Sequence, residues 1–96
     1  MTKEEIKKFE DHRVRFIFED TEEVRDQDIE VLLLKDGYEK ALHRNEIFKI
    51  GDLINKWDKL NRLNGIGEIK VRHIRAALFA YLMEIGAIKE TKLVEV

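Results

Sequence analysis

Residues 60–74, LNRLNGIGEIKVRHI, carry the pattern Leu60-x-x-Leu63-x-Gly65-Ile66-Gly67-x-x-x-Val71-x-x-Ile74. Leu60 and Leu63 are three apart, as are Val71 and Ile74, so each pair shares one face of a helical segment. Two such segments meeting on those faces predict a helix-hairpin-helix. Gly65 and Gly67 are read as supplying backbone angles closed to other residues, and Ile66 as the plug that seats the turn in the core. The turn runs directly into a helix N-terminus, where unpaired amides and the helix dipole favour an anionic oxygen. A DNA phosphate meets that requirement, and such a contact positions a protein without reading base sequence. A hairpin that only packs has the same pattern, so the spacing predicts geometry and leaves binding open.

Working outward, the final helix is expected over residues 68–85, with Gly86 placed to end it in a left-handed cap. Val71, Ile74, Leu78, Tyr81, Leu82 and Ile85 form one apolar stripe along it, and Ala76, Phe79, Ala80 and Met83 a second. Upstream, Ile47, Ile50, Leu53, Ile54 and Trp57 make a helical stripe. Asp58 is read as the cap of the short helix before the glycines. Asp36 and Glu39 have capping-box spacing for a helix through Tyr38, Ala41 and Leu42 that ends near Asn45. Residues 14–18 alternate Val14, Phe16 and Phe18 against Arg15 and Ile17, a strand signal. Before them, TKEEIKKFED has helix-forming composition, and TEEVRDQD follows as a charged connection. Leu93, Val94 and Val96 are expected to pair as a strand with residues 14–18.

The fold class expected is therefore mainly α: a compact bundle of short helices with a helix-hairpin-helix, plus a small two-stranded β element from the N-terminal arm and the C-terminal tail. Three parts are expected, an acidic arm (1–28), a helical domain (29–86) and a tail (87–96). Residues 1–30 hold eleven acidic and six basic side chains, a balance of −5, and residues 31–96 hold nine and twelve, a balance of +3. A mildly basic body suits phosphate at one face, while a solvated mixed-charge surface has the same composition.

The 96 residues suit one small domain, and 44% apolar content is enough for a core. With no cysteine in the chain, disulfides, thiol catalysis and thiolate zinc sites are excluded. The charged N-terminus is not a secretory signal, and no apolar run approaches the roughly 20 residues of a membrane span, so a cytoplasmic location is expected. Serine is absent, threonine occurs only at Thr2, Thr21 and Thr91, and His12, His43 and His73 are dispersed. No nucleophile, base and oxyanion site assemble, and no metal-ligand spacing occurs, so neither enzyme activity nor a cofactor is expected.

Residues 29–86 resemble the C-terminal domain of the bacterial RNA polymerase alpha subunit. The resemblance rests on "IE" at 29–30, Leu42, Ile47, "IGDL" at 50–53, the leucines before the glycine turn, the Ile66-Gly67 pair and Ile74. It implies a compact bundle of short helices that binds the DNA minor groove and is touched by transcription activators. Gly67 matches the glycine of the family's DNA face, whereas Ile69 stands where the family has a lysine. The family's arginine position in the first helix falls on Gly37, or on Lys35 with a slipped register, and its asparagine position on Lys40.

The function expected is a non-catalytic, transcription-associated nucleic-acid-binding module. Gly65, Ile66 and Gly67 are its turn, and Lys70, Arg72 and Arg75, with His73, its polar face. Lys35 and Lys40 join the same face. Double-stranded DNA is the expected partner, with RNA polymerase or a transcription factor beside it. The alternative is a protein-interaction module of the same fold that has lost DNA binding, supported by Glu68 and Ile69 in the turn, the acidic arm and the second apolar stripe.

Overall fold

The computed structural model describes the backbone of residues 5–11 and 14–93 and the side chains of 15–91. Most of the regular structure is helical, as expected. In chain order the elements are β1 (Glu5–Asp11), β2 (Val14–Asp20), α1 (Glu22–Arg25), a 3₁₀ turn (Ile29–Leu32), α2 (Asp36–Arg44), α3 (Ile50–Asn55), a second 3₁₀ helix (Trp57–Arg62), α4 (Glu68–Glu84) and β3 (Ile88–Leu93).

The three strands form one antiparallel sheet in the order β1-β2-β3. The expected pairing of residues 14–18 with the tail is present, with Val14 opposite Leu93 and Phe16 opposite Thr91. Val94 and Val96 lie outside the described residues. The expected helix in TKEEIKKFED is corrected: residues 5–11 are a strand, paired from Glu5–Asp20 to Asp11–Val14. An isolated helix of that length is marginal, and β2 offers a seven-residue ladder directly after it in sequence.

β2 does not form a separate arm. Phe16 and Phe18 are fully buried in the same cluster as the helical residues from Val24 to Ala87. The Phe16 ring meets Trp57 edge-on at 6.1 Å and Phe79 at 4.8 Å. The expected division at residue 28 is therefore not a division in the packing. The segment TEEVRDQD is more than a connection: Thr21 Oγ1 accepts from the Val24 amide and caps α1, and Val24 is buried. Asp20, also buried, receives both Arg25 Nε and Nη2 at 2.6 Å, while Arg25 Nη1 donates to Asn55 Oδ1 at 3.0 Å. One guanidinium thus joins β2, α1 and α3.

The helix ends follow local chemistry, with two caps displaced from expectation. α2 begins one residue earlier than the capping-box reading, with Lys35 as the cap and no side-chain cap bond. Asp36 and Glu39 then occupy the first turn, where carboxylates still complement the dipole. Asp58 likewise lies inside the second 3₁₀ helix, whose cap is Lys56. Asp52 does the capping for α3, accepting from the Phe48 and Lys49 amides through Oδ2. α4 ends as expected: Gly86 has φ 75°, its amide donates to Met83 O and the Ala87 amide donates to Leu82 O. That is the paired-bond left-handed cap in which glycine is favoured. The first stripe of α4 is the buried one, through Val71, Ile74, Leu78 and Leu82. Of the second, Phe79 is half-buried against Phe16, while Ala76, Ala80 and Met83 are exposed. Among the described residues, no helix is long and apolar enough to cross a membrane.

Candidate nucleic-acid interface

The turn at 63–67 is built from its apolar residues. Leu60 and Ile66 are buried and Leu63 half-buried, and they close on Val71 and Ile74, which are also buried. The Leu63 amide donates to Leu60 O and the Ile66 amide to Leu63 O, so the chain turns in two tight steps. The first arm is a 3₁₀ helix. Its rise of about 2.0 Å per residue carries the chain from Trp57 to the turn in few residues. Gly65 has φ 77°, as expected of a residue that only glycine adopts freely. Gly67 does not: its φ −91° and ψ −179° are extended backbone open to any residue, and a Cβ there would meet nothing within 4 Å.

Asn45, expected only as the end of α2, ties that end of the helix to the turn. Its Nδ2 donates to Ala41 O at 2.8 Å and to Asn64 O at 2.9 Å, and Lys56 Nζ donates to Asn45 O at 2.7 Å. The beginnings of α2 and α4 also meet, at Tyr38. Tyr38, in the first turn of α2, lies between two lysines. Lys35 Nζ is 5.9 Å and Lys70 Nζ 5.8 Å from its ring centroid, both within cation–π range. Lys70 Nζ also donates to Gly65 O at 2.9 Å, and the His73 ring meets Tyr38 edge-on at 5.5 Å. The two ammonium groups are thus at most about 12 Å apart, about one and a half Debye lengths in physiological salt.

Of the expected site residues, Lys35, Gly65 and Lys70 are brought together. Ile66 is spent in the core, and its amide is already bonded to Leu63 O. Arg72 pairs with Glu68 at 3.0 Å on the exposed flank of α4, which offsets both charges. Arg75 lies apart from Lys70 and packs on Trp57. It follows Lys70 by five positions, about 140° around the helix. Its Nη2 donates to Trp57 O at 2.8 Å, its guanidinium lies 5.1 Å from the indole, and its Nε is buried without a partner. Lys40 follows Tyr38 by two positions, about 160° away around α2, so it does not join the pair.

Tyr38 is the residue of this face that spacing alone did not assign to it, whereas His73 was expected on the polar face of α4. Tyr38 reads as a core position because it shares a stripe with the buried Ala41. No side chain caps α4, whose first turn begins at the extended Gly67. Glu68 and Ile69 lie in that turn, and Ile69 is 69% exposed. His43 is elsewhere, stacked on Phe48 at 5.3 Å and 3.7 Å from Glu39. Among the described residues no three His, Asp or Glu side chains converge on a metal position. Comparison with known protein families, curated proteins and solved structures finds no match to the chain.

Proposed function

We propose that this chain is a non-catalytic nucleic-acid-binding module that holds duplex DNA by its phosphates at the groove edge, in a transcription-associated setting. In this reading the segment 57–84 is a helix-hairpin-helix, and the resemblance of residues 29–86 to the RNA polymerase alpha C-terminal domain supports the setting. The observation that carries it is the convergence of Lys35 and Lys70 on Tyr38 beside an uncapped start of α4. Two cations thus lie within 6 Å of one ring centroid, close to a helix N-terminus, and an anionic oxygen complements that concentration of positive charge.

With about two phosphates neutralised, the logarithmic salt slope is about −1.8, a loss of roughly tenfold between 50 and 200 mM salt. The test is a titration of isotopically labelled protein with a short AT-rich duplex at low salt. Amide shifts at 35–41 and 65–72 are expected, and Lys35→Glu with Lys70→Glu abolishes them. A duplex that shifts nothing at low salt, or binding indifferent to those reversals, overturns the reading.

A second reading has its own observation. Ile69 is exposed at the tip of the turn, and Arg72 is occupied by Glu68, which suits a protein contact. Ile69→Lys separates the two readings. It strengthens binding several-fold if phosphate is the partner, and weakens association if a protein is.

A further inference from the structure

The opposite end of α4 has the opposite chemistry. Between α1 and the C-terminal end of α4 lies an open cleft of about 420 Å³. Its apolar lining includes the buried Val24 and Ala87, the half-buried Tyr81 and, 45% exposed, Ile85. Glu19 and Glu23 are its acidic side chains, and no lysine, arginine or histidine lines it. Glu19 is paired with Lys89. Glu23 is exposed, and among the described residues its carboxylate has no ion-pair partner and the Tyr81 hydroxyl no hydrogen-bond partner. The cleft also adjoins the negative end of the dipole of a 17-residue helix.

We propose that this cleft docks an arginine side chain presented by a peptide segment of a partner protein. The planar guanidinium stacks on Tyr81 and pairs with Glu23, while the methylenes of its stem cover Val24 and Ala87. A guanidinium fits better than an ammonium because it stacks on aromatic faces and offers two parallel donors to a carboxylate. A peptide fits better than a free small cation for two reasons. The cleft is open, whereas small-molecule sites enclose most of their ligand. The exposed Ile85 also gives the rim an apolar contact that only a neighbouring residue of the partner uses. α4 is about 25 Å long at 1.5 Å per residue, so this surface stands clear of the lysine pair at the other end.

The test uses the full chain and a capped tetrapeptide, acetyl-Gly-Arg-Leu-Gly-amide, followed by amide shifts. Expected are shifts at residues 23–27 and 81–87 that saturate, and none when citrulline replaces the arginine. Glu23→Gln weakens binding about threefold to fivefold, and Tyr81→Leu by a similar factor. Glu23 is exposed, so its variants remain informative even if the Tyr81 change perturbs folding. Four results would overturn the proposal: no shifts at millimolar peptide, equal binding by the citrulline peptide, equal binding by free arginine amide, or equal binding by the lysine peptide. Concentration-dependent shifts at both ends of α4 without peptide would overturn it too, assigning the cleft to a second copy of the chain.

Discussion

Glu46 holds φ 62° just after α2, in the same left-handed position that Gly86 fills after α4. Its amide donates to His43 O and the Ile47 amide donates to Leu42 O, so the cap geometry is complete but its central residue is strained. Ile47, next in the chain, is fully buried and fixes the chain path, so Glu46 cannot relax to ordinary angles. Glu46→Gly removes the side-chain clash and returns some entropy to the unfolded chain, for a net gain of about 0.5–1 kcal/mol. The urea midpoint is expected to rise with an unchanged slope. Gly51 makes the opposite demand. A Cβ there would meet Arg25 Cβ at 3.0 Å and Arg25 O at 3.3 Å. The Arg25 guanidinium is tied to Asp20 and Asn55, so the neighbour cannot give way. Gly51→Ala is expected to cost about 1–2 kcal/mol in the same measurement.

That Arg25 network is a property of elements, since one side chain fixes the end of β2, α1 and α3 together. Arg25→Lys keeps the charge but loses the fork that binds both Asp20 oxygens and reaches Asn55. With Arg25 partly exposed, a loss of about 1–2 kcal/mol is expected in urea unfolding, and Asn55→Ala alone costs less. Elements with strong periodicity were legible in the sequence for the reason they are stable. The stripe of α4, the left-handed glycine after it and the alternation at 14–18 each report a burial requirement. Short elements were not. β1 is a strand because β2 lies next to it, and nothing within residues 5–11 states that. The displaced caps at Asp36 and Asp58 have a related cause, because a shift of one or two residues in a helix start is decided by packing behind it. The candidate site was half legible: Gly65 and Lys70 follow from spacing, and Lys35 only from the resemblance. Tyr38 follows only from the packing of α2 beside the start of α4, as does the contact of Arg75 with Trp57 from that of α4 on the 3₁₀ helix.

At the scale of the whole molecule, the division of the chain into an arm and a helical domain can be tested directly. A fragment that begins at residue 29 retains every helix from α2 to α4 and all of the resemblance. It lacks Phe16 and Phe18, both fully buried, and the Asp20–Arg25 pair. Removing a buried phenylalanine costs about 3–5 kcal/mol, so the two together consume most of the 5–15 kcal/mol available to a typical domain. Phe79 and Trp57 would also lose the ring they pack against, exposing aromatic surface along α4 and the 3₁₀ helix before the turn. The fragment is therefore expected to show no cooperative thermal transition by circular dichroism, and poor amide dispersion. The double variant Phe16→Ala, Phe18→Ala in the full chain should behave in the same way. A cooperative transition in the fragment near that of the full chain would show that residues 29–86 fold alone and that β2 is an accessory. In that case Phe16 would be covering the core, not forming part of it. Duplex binding measured on the same fragment then reads differently in the two cases. If the core needs Phe16, the Lys35–Tyr38–Lys70 convergence disappears with it, because Asn45 and Lys56 can hold the turn to α2 only while both elements are packed.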